Sequence, residues 1–303
     1  MIKNPNLLFQ FFLIILIYFY NDSKLYKLKK DNKIEDGIGE RDYSGLCDSM
    51  DEFNNDVNVT TTEAITRVPT GIQELDELLS GGLPYNSITL VSGTPGSGKS
   101  ILCYHYLWDG LNKGEKCLFL TSNEQIINII KQAKELGFDF RKWMEQDKIK
   151  FMYLDLDKSS IHKEMEEEIK TGNYSRIVLD SLTPISEIPV WVSGVHEIIP
   201  SEDKNDTSKY PTGSVSATRM HVRRIISLLG KENCTAMLTS EIPEGSRNLS
   251  RDTISEFLVD GILLLDMDTT MDRRKLTIRK MRATKHTLKP HDIAIAEGGI
   301  KFL

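Results

Sequence analysis

Gly93-Thr94-Pro95-Gly96-Ser97-Gly98-Lys99-Ser100 matches the pattern G-x-x-x-x-G-K-[ST], and its reading decides the fold. Each part of the pattern has a chemical reason. Glycines let the backbone curl so that successive N–H groups point inward at phosphate oxygens. A helix starting here adds the partial positive charge of its amino end. Lys99 places a point charge near the β and γ phosphates, and Ser100 offers a hydroxyl to Mg²⁺. The flanks fit as well. The apolar run Ser87 to Ser92 predicts a strand before the loop, and Ser100 to Leu111 predicts a helix after it. With Ile101 directly behind the loop, the candidate nucleotide-binding segment runs from Gly93 to Ile101.

Working outward, strands and helices alternate. Ile72 to Leu79 reads as a short helix stopped by Gly81-Gly82 and Pro84. Lys116 to Thr121, Lys148 to Leu156, Arg176 to Leu182 and Cys234 to Ser240 read as strands. Glu124 to Leu136, Ser160 to Lys170 and Thr218 to Leu229 read as helices, with Ile126, Ile129, Ile130 and Ala133 on one face of the first and Gly137 as its stop. This alternation predicts an α/β fold: a mostly parallel sheet covered by helices on both faces. The end differs. Gly261 to Asp266 with Lys275 to Met281, and Asp292 to Leu303 turned at Gly298-Gly299, predict C-terminal antiparallel hairpins.

A second phosphate-site element is Arg176-Ile177-Val178-Leu179-Asp180-Ser181, an apolar strand ending in a carboxylate. Such an Asp holds Mg²⁺, usually through water. Asp180 stands about eighty residues after the loop, on a strand able to lie beside it. The expected cofactors are therefore ATP and Mg²⁺, with Ser100 and Asp180 as the metal-holding pair.

Composition narrows the partners. The chain has 303 residues and a formal net charge of −6, so no global basic excess favours a nucleic acid. None of the four cysteines, Cys47, Cys103, Cys117 and Cys234, forms a C-x-x-C pair, and the expectation is reduced thiols rather than a zinc site. Leu7 to Tyr20 is apolar apart from Gln10, but its fourteen residues fall short of the ~20 that span a bilayer as a helix. Tyr20-Asn21-Asp22-Ser23 offers no small-x-small cleavage site. Three readings of residues 1–22 stay open: a short membrane tether through residues 7–20, an extension from a misassigned start, or a cleaved signal. The lysines after this segment would keep the remainder in the cytoplasm if it inserts. Residues 23–62 read as a polar, disordered linker, and residues 63–303 as the folded domain.

Other residues carry a resemblance. Arg67-Val68-Pro69-Thr70-Gly71-Ile72, then Leu75-Asp76-Glu77-Leu78-Leu79, then Gly81-Gly82-Leu83-Pro84 and the phosphate loop resemble the opening of KaiC-like ATPases, a branch of the RecA superfamily. Thr239-Ser240-Glu241 resembles that family's strand end beside the γ-phosphate. Lys280-Met281-Arg282-Ala283-Thr284-Lys285-His286 resembles its K-x-R-G-T-x-H segment. The resemblance covers about residues 64–303 and implies a single RecA-like ATPase domain. It further implies a homo-oligomeric ring, usually a hexamer, with ATP between subunits. In such a ring Lys280 and Arg282 are cations reaching the next subunit's phosphates, and His286 contacts the nucleotide. On a strand, Lys280 and Arg282 would share one face at period two; without the motif they read as part of a basic edge with Arg273, Arg274, Lys275 and Arg279.

Three departures from the family pattern matter. Its two adjacent glutamates after the second core strand are here Asn123 and Glu124, and an amide cannot accept a proton as a carboxylate can. Either Glu124 serves as the base, with Lys99 the other catalytic candidate, or hydrolysis is very slow. Between Ser186 and Ser216 the chain is longer than is usual in the family. That stretch holds the polar run Ser201-Glu202-Asp203-Lys204-Asn205-Asp206 but no basic stripe, and it reads as a surface loop or partner-binding lid. Where the family's two-domain clock protein bears a phosphorylated Ser-Thr pair, this chain has Ser255-Glu256-Phe257, so no autokinase activity is expected. Three functions are compatible with these residues: a ring-forming ATPase coupling nucleotide state to assembly or to an unidentified protein partner, a slowly hydrolysing ATP-gated scaffold, and a RecA-like recombination factor. The last lacks the basic, aromatic channel that single-stranded DNA requires.

Overall fold

A computed structural model describes residues 64–158, 160–187 and 215–303. The apolar segment 1–22, the linker 23–62 and most of the long stretch 186–216 lie outside the described residues. The chain divides into two units, Met1–Thr62 and Glu63–Leu303, and the described residues all belong to the second.

In chain order the elements are β1 (Arg67–Val68), α1 (Gln73–Leu78), β2 (Leu83–Pro84), β3 (Ile88–Gly93), α2 (Lys99–Asn112), β4 (Cys117–Thr121), α3 (Ile126–Glu135) and α4 (Arg141–Glu145). Then come β5 (Ile149–Tyr153), α5 (Ile161–Gly172), β6 (Arg176–Asp180), α6 (Leu182–Ser186), α7 (Val215–Leu229), β7 (Thr235–Glu241) and α8 (Ser255–Leu258). The chain ends with β8 (Gly261–Asp268), β9 (Arg273–Met281), β10 (His291–Ala296) and β11 (Gly299–Phe302). Strands β1 and β2 pair as a small ribbon. The other nine form one sheet in the order β11-β10-β9-β8-β3-β7-β6-β4-β5. Neighbours from β8 to β5 are parallel, and β8-β9, β9-β10 and β10-β11 are antiparallel.

The central strands are apolar on both faces because both faces are covered. Alternation sends Leu90, Leu118, Leu120, Ile177, Leu179 and Leu238 into a core with α5 and α7. Their neighbours Val91, Phe119, Val178 and Met237 enter the opposite core with α1, α2 and α3. Aromatic rings thicken the second core: Trp108 and Phe140 meet edge-on at 5.6 Å, and Phe119 and Phe151 lie 5.3 Å apart.

Several expected boundaries shift. The strand expected over Arg176 to Leu182 stops at Asp180, because Leu182 turns into the core as the first residue of α6. The helix expected from Glu124 begins at Ile126, so Glu124 precedes its first turn. The segment from Gly261 is not only a hairpin arm: β8 also lies parallel to β3 and thereby joins the hairpins to the parallel sheet. Strand β9 ends at Met281, so Arg282 lies in the turn beyond it rather than alternating with Lys280 on a strand.

Candidate functional site

The phosphate loop lies at the carboxyl end of the central strand. Gly93, the last residue of β3, is held between Glu241 of β7 and Leu265 of β8. A methyl group at Gly93 would run into the Leu265 carbonyl and the Ser97 hydroxyl, so only glycine fits there. Gly98 caps the amino end of α2 in the left-handed region at φ 104°, and Lys99 and Ser100 follow as the first two helical residues. Lys99 is 8% exposed, and its Nζ donates to the Gly93 and Thr94 carbonyls at 3.0 Å each. Burial pushes the Lys99 pKa down, against the pull of Glu241 and Asp180, which favour its charged form.

Asp180, at the carboxyl end of β6, ties the site together. Its Oδ2 accepts from Ser100 Oγ at 2.6 Å, and its Oδ1 accepts from Thr239 Oγ1 at 2.5 Å. Strand β7 lies between β6 and β3, and Thr239 on it bridges the gap. A hydroxyl facing a carboxylate is an all-oxygen donor set suited to Mg²⁺. The Thr94 and Ser97 hydroxyls are buried in the loop without a hydrogen-bond partner. Buried unpaired polar atoms are costly, and phosphate oxygens against the loop would satisfy them. The residues present therefore fit a nucleoside triphosphate with Mg²⁺: Gly93 to Ile101 would surround the phosphates, and Ser100 and Asp180 would hold the metal.

The two residues at the family's glutamate positions face different ways. Asn123 Nδ2 donates to Ser181 Oγ at 3.2 Å, next to Asp180. Glu124 Oε1 accepts from Gln132 Nε2 at 2.5 Å, on the second turn of α3. So Asn123 borders the metal-holding carboxylate, while the Glu124 carboxylate is engaged by α3.

Arg282 lies at the opposite end of the sheet, and Lys280 lies partway, opposite Ile262, which is level with Leu90. Arg282 N donates to Asp260 O, and Asp260 N donates to Ile88 O, so Arg282 lies level with the amino end of β3. Gly93 is five residues further on, about 16 Å along the strand at ~3.3 Å per residue. Lys280 Nζ donates to Val259 O at 2.6 Å and Glu256 O at 3.1 Å, and Arg282 Nη1 pairs with Asp260 Oδ1 at 2.9 Å. Burial lowers the Lys280 pKa, with Arg282 adding to the effect. His286 Nδ1 lies 3.3 Å from the Thr287 carbonyl. Neither cation lies at its own subunit's phosphate loop.

Three contacts were not legible from the pattern. Glu241 is aligned with Gly93 and acts on Lys99 through its charge. Thr239 orients Asp180; both residues stand in the strand-end segment Thr239-Ser240-Glu241, which was the available signal. Arg67 donates from Nη1 to Thr284 Oγ1 at 2.5 Å and from Nη2 to Ala283 O at 2.8 Å, across 216 residues or more.

Fold and loop define a P-loop nucleotide-binding protein with a RecA-like α/β core and a C-terminal antiparallel extension. Comparison with known proteins sharpens the class. The chain matches the family described as "ATPase: KaiC" over residues 68–190 and 206–303, and it belongs to that family. The break at 191–205 falls inside the stretch read as longer than the family's. The chain is 34% identical over 243 residues to UPF0273 protein MJ1359 of Methanocaldococcus jannaschii, covering 77% of this chain and 95% of that one. It is 32% identical over 241 residues to UPF0273 protein PF1931 of Pyrococcus furiosus, covering 78% and 93%. Among solved structures, the KaiC-like protein PH0186 of Pyrococcus horikoshii superposes with a TM-score of 0.62 at 27% identity, over 79% of this chain and 99% of that one. Among the described residues no helix is long and apolar enough to cross a membrane.

Proposed function

We propose that this KaiC-family chain binds Mg-ATP and hydrolyses it in a homo-oligomeric ring, with each site completed by a neighbouring subunit. One observation carries the reading: Lys99, Ser100 and Asp180 converge at one end of the sheet, while Arg282 lies about 16 Å and Lys280 about 10 Å back along the strands. Cations set so far from their own phosphate loop serve a second copy better than their own. A heterologous contact that closes is a ring.

In this reading Lys99 leaves the Gly93 and Thr94 carbonyls for β and γ phosphate oxygens, and Thr239 keeps Asp180 oriented toward Ser100. Ser100 and Asp180 would hold Mg²⁺, which when bound would supply positive charge to the transferring phosphate. The neighbour's Lys280 and Arg282 release Val259 and Asp260 and meet the charge that develops during phosphoryl transfer. His286 contacts the nucleotide from the same segment. Glu124 accepts the proton of the attacking water after leaving Gln132. Nucleotide state is thereby coupled to assembly or to binding of an unidentified protein.

A second reading, a slowly hydrolysing ATP-gated scaffold, is favoured by Asn123, which borders Asp180 where the family has a carboxylate, and by the engagement of Glu124 with Gln132. ATP bound at a subunit interface stabilises the ring by linkage in either case.

The test measures phosphate release and particle size of the full-length chain with Mg-ATP, for the parent, Lys99→Ala, Glu124→Gln and Arg282→Ala. Turnover lost in all three variants, in a ring that needs nucleotide, supports the ATPase with Glu124 as base. No turnover in a parent that still binds ATP selects the scaffold. A monomer with and without Mg-ATP removes the trans role.

A further inference from the structure

We infer that Arg67 is a positioning residue for the segment that carries Lys280, Arg282 and His286, an inference that rests on the ring reading above. The opening stretch Arg67-Val68-Pro69-Thr70-Gly71 has no part in the phosphate site, yet its arginine is committed to one distant turn. Arg67 Nη1 donates to Thr284 Oγ1 at 2.5 Å and Nη2 to Ala283 O at 2.8 Å, with a longer contact to Gly82 O at 3.5 Å. Among the described residues no carboxylate pairs with it. A planar guanidinium is a rigid fork, so two bonds to adjacent residues fix both the position and the tilt of the turn.

That turn needs fixing. Strand β9 ends at Met281, so residues 282–287 have no ladder to hold them beyond the Arg282 to Asp260 backbone bond. Ala283 sits at φ 53°, a left-handed conformation that costs a non-glycine residue energy. Thr284 Oγ1 reaches back to the Arg282 carbonyl at 3.2 Å while accepting from Arg67, so the clamp passes directly to the residue before Ala283. Arg67 itself is anchored: β1 pairs with β2, placing Arg67 opposite Pro84. The clamp therefore joins a fixed ribbon to the one segment whose cations must be aimed at another subunit. Misplacement of a charged group by about an ångström is costly in phosphoryl transfer, on the order of a hundredfold.

The test is subunit complementation with full-length chains. Phosphate release is measured for the parent, Arg67→Ala, Arg67→Lys, Thr284→Val and Arg282→Ala, each checked for thermal melting and particle size. The expected result is a fall in kcat of about tenfold for Arg67→Ala at little-changed KM, with smaller falls for Arg67→Lys and Thr284→Val. Arg67→Ala is then mixed one to one with Lys99→Ala, which has a dead phosphate loop and an intact trans segment. In random rings a quarter of the interfaces join an intact loop to an intact segment, so the mixture should recover about a quarter of the parent rate. Without complementation it shows half the Arg67→Ala rate. No recovery means that Arg67 acts within its own subunit and overturns the inference. An unchanged rate in Arg67→Ala, beside a lowered one in Arg282→Ala, also overturns it while leaving the ring intact. An unchanged rate in Arg282→Ala removes the trans role itself, and the inference falls with it.

Discussion

Lowering the pH from 7.5 to 5 should destabilise this protein in part through His105, and the geometry fixes the sign. His105 lies on α2, directly behind the phosphate loop, and its Nε2 accepts from the Ile300 N–H at 2.8 Å. That leaves Nδ1 to donate to the Gly71 backbone. The ring thus joins α2 to β11 and to the chain before α1, and it must be neutral to do so: a proton on Nε2 would face the Ile300 N–H. Burial accordingly lowers its pKa from 6.5 to about 4, opposed by the bond to Gly71. Between these two values the unfolded chain binds the proton and the folded chain does not. The stabilisation is therefore complete above pH 6.5 and is lost as pH falls toward 4. At pH 5 the linkage expression RT ln[(1 + 10^1.5)/(1 + 10^−1)] gives about 2 kcal/mol.

Urea unfolding of the parent and His105→Gln at both pH values, without nucleotide and at one protein concentration, measures it. Glutamine keeps a donor and an acceptor but does not titrate. His162, stacked on His221 in the other core and lowered by burial to about 3, adds an acid-labile contribution common to both proteins. The difference between parent and variant isolates His105. His105→Gln should lose about 2 kcal/mol less than the parent between pH 7.5 and 5. Parallel losses would mean that His105 titrates alike in the folded and unfolded chains, and would refute the reasoning.

Three further outcomes are expected. Arg176 is fully buried, with Nε on Glu115 at 2.5 Å, Nη2 on Asp109 at 2.8 Å and Nη1 on the Pro69 and Tyr106 carbonyls, so Arg176→Met strands two carboxylates and two acceptors. Urea unfolding should show a loss of about 3 kcal/mol. Ala283 occupies a left-handed conformation at φ 53°, so Ala283→Gly should raise stability by roughly 0.5–1 kcal/mol, read as a higher urea midpoint at unchanged slope. Asn123 borders Asp180 through Ser181, so Asn123→Glu should raise phosphate release about tenfold or more by restoring a carboxylate there; an unchanged rate would leave Glu124 as the base.

How much of this was legible in the sequence depended on how far apart the cooperating residues stand. The phosphate loop was readable because strand, turn and helix are consecutive, and the glycine, lysine and serine requirements are local. The covered parallel sheet was readable for a similar reason: runs such as Ile177-Val178-Leu179 are apolar at every position, which only two covered faces explain. The short elements α4, α6 and α8 were not readable, since four or five residues carry too little period. In the sequence Arg176 reads only as the first residue of a strand, because its carboxylates stand 61 and 67 residues away.

The segment from Lys280 to His286 shows the same limit from the other side. Its residue types were visible, but not where they stand relative to the loop. That position depends on β8 pairing parallel to β3 and antiparallel to β9, which sets Lys280 opposite Ile262 and Arg282 beyond the strand end. A spacing of 189 residues between Gly93 and Arg282 says nothing of distance; the register of three strands turns it into a separation of about 16 Å along the sheet. The same register brings Thr284 to Arg67, so that the domain's opening motif and its late basic segment meet at one turn. Local chemistry thus announces what binds the phosphates, whereas topology decides whose phosphates the remaining cations can reach.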